Sequence, residues 1–101
     1  MAFDEERGAQ RLAGVFSALS HPRRLIILDC LLRRERTVSD LVRCERLAPC
    51  SQGNVSQHLA ILRSMGVVRV RRVGNRSYYR IAAGHLERLL TEGKRVLAEA
   101  K

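Results

Sequence analysis

The sequence predicts a mainly α-helical domain with one small β-hairpin, in the order α-α-α-α-β-β-α, and three observations predict it. Apolar residues recur at helical spacing in four blocks between Glu5 and Met65. After Gly66 the spacing changes to alternation, which lasts until Ile81. Helical spacing then returns between Ala83 and Ala100, stacking Leu86, Leu89, Leu90 and Leu97. At 101 residues the chain is read as one domain spanning 1–101, with no repeat, low-complexity tract or linker. Four aromatic residues and no Trp predict a core of Leu, Val and Ile, small enough for oligomerisation to help it.

The first helix, Glu5 to Leu19, lines Leu12, Val15, Phe16 and Leu19 on one stripe, and Asp4, Glu5 and Glu6 suit its N-terminus. Ser20-His21-Pro22 breaks the chain, with His21 as a cap and Pro22 opening the next helix. From Arg23 to Arg34, Leu25, Leu28 and Leu32 make one stripe and Ile27 and Leu31 another, which predicts a buried centre. Thr37-Val38-Ser39-Asp40 fits a capping box, opening a third helix that is expected to reach about Leu47. Pro49 enforces a connection, Ser51 is the expected N-cap of the fourth helix, and Gly66 its expected C′ residue. Two strands follow, Val67–Val73 and Ser77–Ile81, with Gly74-Asn75 at the turn. Val68 and Val70 alternate with Arg69 and Arg71, giving one apolar and one cationic face. Tyr78 and Tyr79 take opposite faces, one ring for the core and one for contact outside.

The net charge is +9, and seventeen of the nineteen cations are arginine, whose planar fork matches phosphate oxygens. The charge is also one-sided. Pro49 to Ala82 holds six arginines and no acid, whereas Met1 to Ser20 holds three acids and two arginines. Such a footprint points to nucleic acid. On the fourth helix Val55, Leu59 and Leu62 share the inner stripe, leaving Ser56, Gln57, Ala60 and Arg63 outward on a face suited to the DNA major groove. The two helices joined near Pro49 therefore read as a helix-turn-helix and the arginine-rich hairpin as a wing, a winged helix-turn-helix. The expected DNA contacts are Ser51, Gln52, Asn54, Ser56, Gln57, His58 and Arg63 from the reading helix. From the wing they are Arg71, Arg72, Asn75, Arg76 and Tyr79. His58 lies beside the apolar stripe, with either a structural or a phosphate-contacting role.

Other classes fit less well. There is no phosphate-binding glycine loop, nucleophile elbow or carboxylate pair, so the chain is not read as an enzyme. Aromatic platforms for single-stranded RNA are sparse. The lack of a membrane-length apolar run or signal peptide, and an odd count of three cysteines, predict a cytoplasmic protein without membrane contact. The rival reading is an architectural DNA binder or a winged helix used for protein contacts.

Three segments carry a family resemblance. Ala18 to Leu28, ALSHPRRLIIL, resembles the "ALSHPxRLxIL" opening of ArsR-type winged helix-turn-helix repressors. Asn54 to Val68 is similar to that family's "xVSxHLxxLRxxGLV", and Arg71 to Ile81 to its "RxGxxxYYxL" wing. The resemblance spans roughly residues 12–90. It implies a homodimer formed by the terminal helices, 1–20 and 83–101, on an imperfect palindrome in a promoter. It also implies repression that an effector relieves.

The effector sites of that family are not reproduced. Thr37 and Ser39 stand where some members carry a thiolate pair, and the last helix offers His85, Glu92 and Glu99 with Ala83 in place of an aspartate. His85 is thus either a remnant ligand or a surface residue. No cofactor is assigned, and a metal ion of unknown identity stays open as effector. Cys30 sits one position from the first of two sensing cysteines of other members, and the second, near the C-terminus, is missing. Val42 to Ser51 is about three residues longer than the family pattern and carries Cys44 and Cys50, the candidate sensing thiols. Cys50, at a helix start among arginines, is expected to favour thiolate, with Cys44 close to it across the turn. The plainer alternative makes Cys44 a packed small hydrophobe and Cys50 a loop residue.

Overall fold

Pro22 sets the start of the most deeply buried helix. Its fixed φ suits a first helical position, and the preceding His21 is extended, with its Nδ1 accepting the Arg23 backbone N–H at 3.2 Å. The computed structural model describes residues 5–47, 50–82 and 84–99. In chain order these form α1 (Glu5–Leu19), α2 (Pro22–Arg33), α3 (Val38–Val42), a 3₁₀ turn (Glu45–Leu47), α4 (Gln52–Ser64), β1 (Val68–Val73), β2 (Arg76–Ile81) and α5 (Gly84–Glu99).

The core follows the apolar stripes. Ile27, Leu28 and Leu31 of α2 meet Leu41 of α3, Leu47, and Val55, Leu59 and Leu62 of α4, with Val68 closing the base of the hairpin. Each such fully buried side chain stabilises the fold by roughly 1.5–3 kcal/mol. Core residues thus come from every element that positions α4.

The capping box of α3 is complete. Thr37 Oγ1 accepts from the Asp40 N–H at 3.1 Å, and the Asp40 carboxylate accepts from the Thr37 N–H at 2.9 Å. The helix is shorter than its sequence predicts, however, ending at Val42 instead of near Leu47. The reason lies in the spacing. A continued α-helix would carry position 45 onto the side of Leu41, whereas the break and the 3₁₀ turn bring Leu47 fully into the core. The expected connection at Ala48-Pro49 lies outside the described residues.

Ser51 caps α4 by accepting the Asn54 N–H at 3.0 Å, and Gly66, at φ +75°, takes the left-handed conformation that ends the helix. Gly74, at φ +60°, does the same for the hairpin turn. β1 and β2 pair antiparallel, Val68 opposite Ile81 and Val73 opposite Arg76, so Arg76 joins the strand from the first position after the turn. The hairpin is moored to the loop after α2 by two backbone hydrogen bonds between Arg36 and Tyr79, at 3.0 and 2.8 Å.

Two arginines of the basic α2 start fasten the fold. Arg23 donates to the Leu47 carbonyl at 2.7 Å, holding the turn before α4, and Arg24 donates to the Ala18 carbonyl at 3.2 Å, holding the end of α1. The terminal helices keep apolar residues in water. Leu12 and Phe16 of α1 (Phe16 49% exposed) and Leu89 and Val96 of α5 (Val96 65% exposed) lie outside the core.

Candidate nucleic-acid interface

α4 presents two chemically distinct faces. Val55, Leu59 and Leu62 are buried, and Ser56, Gln57, Ala60 and Arg63 are exposed on the other side, as 3.6-residue spacing requires. Gln52 and Asn54 are exposed at its start, and Ser51 is exposed there but spends its hydroxyl on the cap. Thirteen residues make α4 roughly 20 Å long, a length the major groove accommodates.

His58 does not share that outer face. It is only 9% exposed, its Nδ1 accepts from Arg24 Nε at 3.3 Å, and its ring lies 4.7 Å from that of His21. Its burial does not favour the expected DNA contact: position 58 adjoins Leu59 and Leu62, and the ring is folded inward against α2. Of its two sequence-level roles, the geometry supports the structural one.

The hairpin carries cations on both sides, and register sorts them. Val68, Val70 and Arg72 share a face with Ile81, Tyr79 and Ser77, while Arg69 and Arg71 share the other with Arg80 and Tyr78. Arg71 is occupied. It grips the Glu35 carboxylate with two hydrogen bonds, at 3.0 and 3.2 Å, and lies 5.1 Å from the Tyr78 ring centroid. Its hydrogen bonds, and then its charge, hold the Glu35 carboxyl below the usual range. Among the described residues Arg63, Arg69, Arg72, Arg76 and Arg80 have no ion-pair partner.

Arg72's face turns toward a polar hollow where three elements converge. α3 and its caps supply Thr37, Ser39, Asp40 and Arg43, α4 supplies Gln52, and the wing supplies Asn75, Arg76 and Ser77. Tyr79 also lines it, and the same ring borders a second shallow hollow with Ser56, Ala60 and Arg63. Tyr79 is therefore the tyrosine packed on the core, with its remaining surface beside α4's outer face. Tyr78 is the one under Arg71. Ser39 and Arg43 were missed in the sequence. Their signal was their position on the first helix of a helix-turn-helix, which crosses the backbone in such motifs.

Cys44 and Cys50 do not lie together, and Cys44 packs against the core as in the plainer alternative. Cys44 Sγ, in the turn after α3, lies 3.6 Å from Cys30 Sγ of α2 and not beside Cys50. Cys50 Sγ instead donates to Asn54 Oδ1 at 3.1 Å, within the first turn of α4. The early end of α3 explains the exchange, because the turn after Val42 folds Cys44 back onto α2. The side chain of His85 and the position of Ala83 lie outside the described residues.

With this geometry in place, comparison with known proteins is decisive. The sequence profile described as "Bacterial regulatory protein, arsR family" matches residues 21–70, which run from the cap of α2 into β1. An uncharacterised HTH-type transcriptional regulator of Mycobacterium tuberculosis, Rv0081, is 41% identical over 86 residues, covering 85% of this chain and 74% of its own. The chain belongs to the ArsR family of bacterial regulatory proteins.

The crystal structure of Rv0081 superposes with a TM-score of 0.83 at 38% identity, covering 91% of this chain and 90% of that one. A transcriptional repressor SmtB homolog from Synechocystis is 42% identical over 84 residues, covering 83% of this chain and 61% of its own. The solution structure of a Mycobacterium bovis fragment, Mb0332, is similar to this ArsR-family regulator with a TM-score of 0.81 at 36% identity, over 98% of this chain and 92% of that one. That fragment is described as a homodimeric winged helix-turn-helix DNA-binding domain. The architecture here is likewise a winged helix-turn-helix, with α3 and α4 as its two helices and β1–β2 as its wing.

Proposed function

We propose that this chain is a sequence-specific transcriptional repressor that binds double-stranded DNA as a homodimer. One observation carries the reading: Gln52 at the start of α4 and Arg76 of the wing line one polar hollow, and Tyr79 joins it to a second along Ser56, Ala60 and Arg63, so one duplex can engage both elements. Gln57 and Ser56 read base edges in the major groove. Arg63, Arg72 and Arg76, with Ser39 and Arg43 from α3, hold phosphates or reach the minor groove. Neither role involves a catalytic step, and the protein acts in the cytoplasm.

The dimer is supported by the apolar surface left in water on α1 and α5, and by the homodimeric state of the Mb0332 fragment. Two-fold symmetry then places the two α4 helices on two half-sites, which makes the operator an imperfect palindrome. Fluorescence anisotropy on the DNA upstream of the chain's own gene tests the reading. Gln57→Ala should weaken binding there by roughly 1–3 kcal/mol and leave binding to a scrambled duplex unchanged. Equal weakening on both duplexes would remove α4 from base reading.

A further inference from the structure

Cys30 and Cys44 are fourteen positions apart in sequence, yet their sulfurs approach to 3.6 Å. We propose that Cys30 and Cys44 form a hydroperoxide-oxidisable dithiol whose intramolecular disulfide weakens operator binding. The inference rests on the operator-binding reading above and adds a modification site to it.

The two thiols have unequal surroundings. Cys30 is 4% exposed, and burial, then the hydrogen bond shared with Cys44, pushes its thiol up. Cys44 is half-buried. Burial acts upward on it too, but hydrogen bonds from the Arg46 backbone, Cys30 and the Leu47 backbone, together with the Arg46 charge, hold it below its ordinary value. Two arginines flank Cys30, and one of them, Arg46, is itself paired with Asp29. Arg46 Nη1 lies 3.9 Å from Cys30 Sγ, and Arg36, whose Nε is buried without a hydrogen-bond partner among the described residues, adds to the field at Cys30. Cys44 is thus the attacking thiolate and Cys30 the resolving thiol.

The chemistry closes without a further reactant. The Cys44 thiolate attacks one oxygen of a hydroperoxide, the O–O bond breaks, and the other oxygen leaves as an alcohol, or as water from hydrogen peroxide, after taking up a proton. Cys44 is now a sulfenic acid, oxidised by two electrons. The Cys30 sulfur attacks it, the S–S bond forms, the S–O bond breaks, and the hydroxide leaves as water with the Cys30 proton. Two thiols and one hydroperoxide give one disulfide, one alcohol and one water.

The position of the pair gives the bond its effect. A disulfide requires the sulfurs to close by roughly 1.5 Å. Cys44 directly precedes the 3₁₀ turn, whose Leu47 is locked in the core and held by Arg23, and this turn leads into the cap of α4. Asp29 of α2 also bridges Arg46 of the turn and Lys94 of α5. Drawing Cys44 onto α2 therefore shifts the turn that orients α4 and the contact that ties it to the last helix.

The test uses the full chain carrying Cys50→Ser, which leaves the two facing thiols as its only cysteines. Hydrogen peroxide should remove two hydrogens per chain by intact mass without crosslinking chains. Affinity for the upstream duplex should fall roughly tenfold and return with dithiothreitol. Adding Cys30→Ser should abolish the two-hydrogen loss. Unchanged mass, disulfides between chains, or a disulfide that leaves affinity unchanged would each overturn the proposal. Reduced protein that ignores the duplex would instead overturn the operator-binding reading, because the mass reports the thiol chemistry separately.

Discussion

The Arg24 guanidinium donates through Nε to Nδ1 of His58 at 3.3 Å, and so joins the start of α2 to the inner side of the reading helix. A neutral imidazole is required for that acceptor. Burial, followed by the nearby His21 ring and the charges of Arg24 and Arg23, lowers the His58 pKa below its ordinary 6.5. The unfolded chain therefore binds more protons than the folded one in this window. Stability is full above 6.5 and is lost as pH falls through the folded value.

A melting series between about pH 7.5 and about pH 5.5 checks this. The wild-type Tm should fall on acidification, and His58→Gln, which keeps a neutral side chain but cannot titrate in this range, should show a shallower slope. Parallel slopes would assign the acid sensitivity elsewhere.

The wing arginines should not be equivalent. Arg72, on the face turned to the hollow, and Arg76, which lines the hollow, have no ion-pair partner among the described residues, whereas Arg71 is held by Glu35. The double change Arg72→Ala and Arg76→Ala should weaken binding to all duplexes and flatten the salt dependence by about one unit of slope per lost phosphate contact. Arg71→Ala should change the slope less. A larger effect from Arg71 would mean that it leaves Glu35 to meet DNA.

Phe16→Glu tests the partner surface. The ring is half exposed on α1 and supports little of the monomer core, so the variant should stay folded by circular dichroism. A carboxylate there should oppose burial against a second chain, shifting sedimentation toward the monomer and weakening DNA binding. A folded variant that sediments like wild type would exclude this part of α1 from the interface.

Local signals made most of the fold legible. Thr37, Ser51 and Pro22 announce helix starts because capping acts within three residues, and Gly66 and Gly74 mark positions that need a positive φ. The outer face of α4 was readable because periodicity alone decides which side Val55, Leu59 and Leu62 bury. What stayed hidden depends on tertiary approach. Arg71 meets Glu35 across 36 positions, Arg24 meets His58 across 34, and neither spacing leaves a local trace. The Cys30–Cys44 pair was missed for a related reason. Its formation requires α3 to stop at Val42, and the capping box signals where that helix starts, not where it ends.

Hydroxyl-radical footprinting of the wild-type chain on its own upstream DNA tests the central claim most directly. The account predicts a short protected site with two-fold symmetry, its half-sites about one helical turn or a multiple of it apart, where two α4 helices enter successive major grooves. Protection spread evenly along the duplex, or confined to one half-site at saturating protein, would contradict a dimeric repressor that reads sequence through α4.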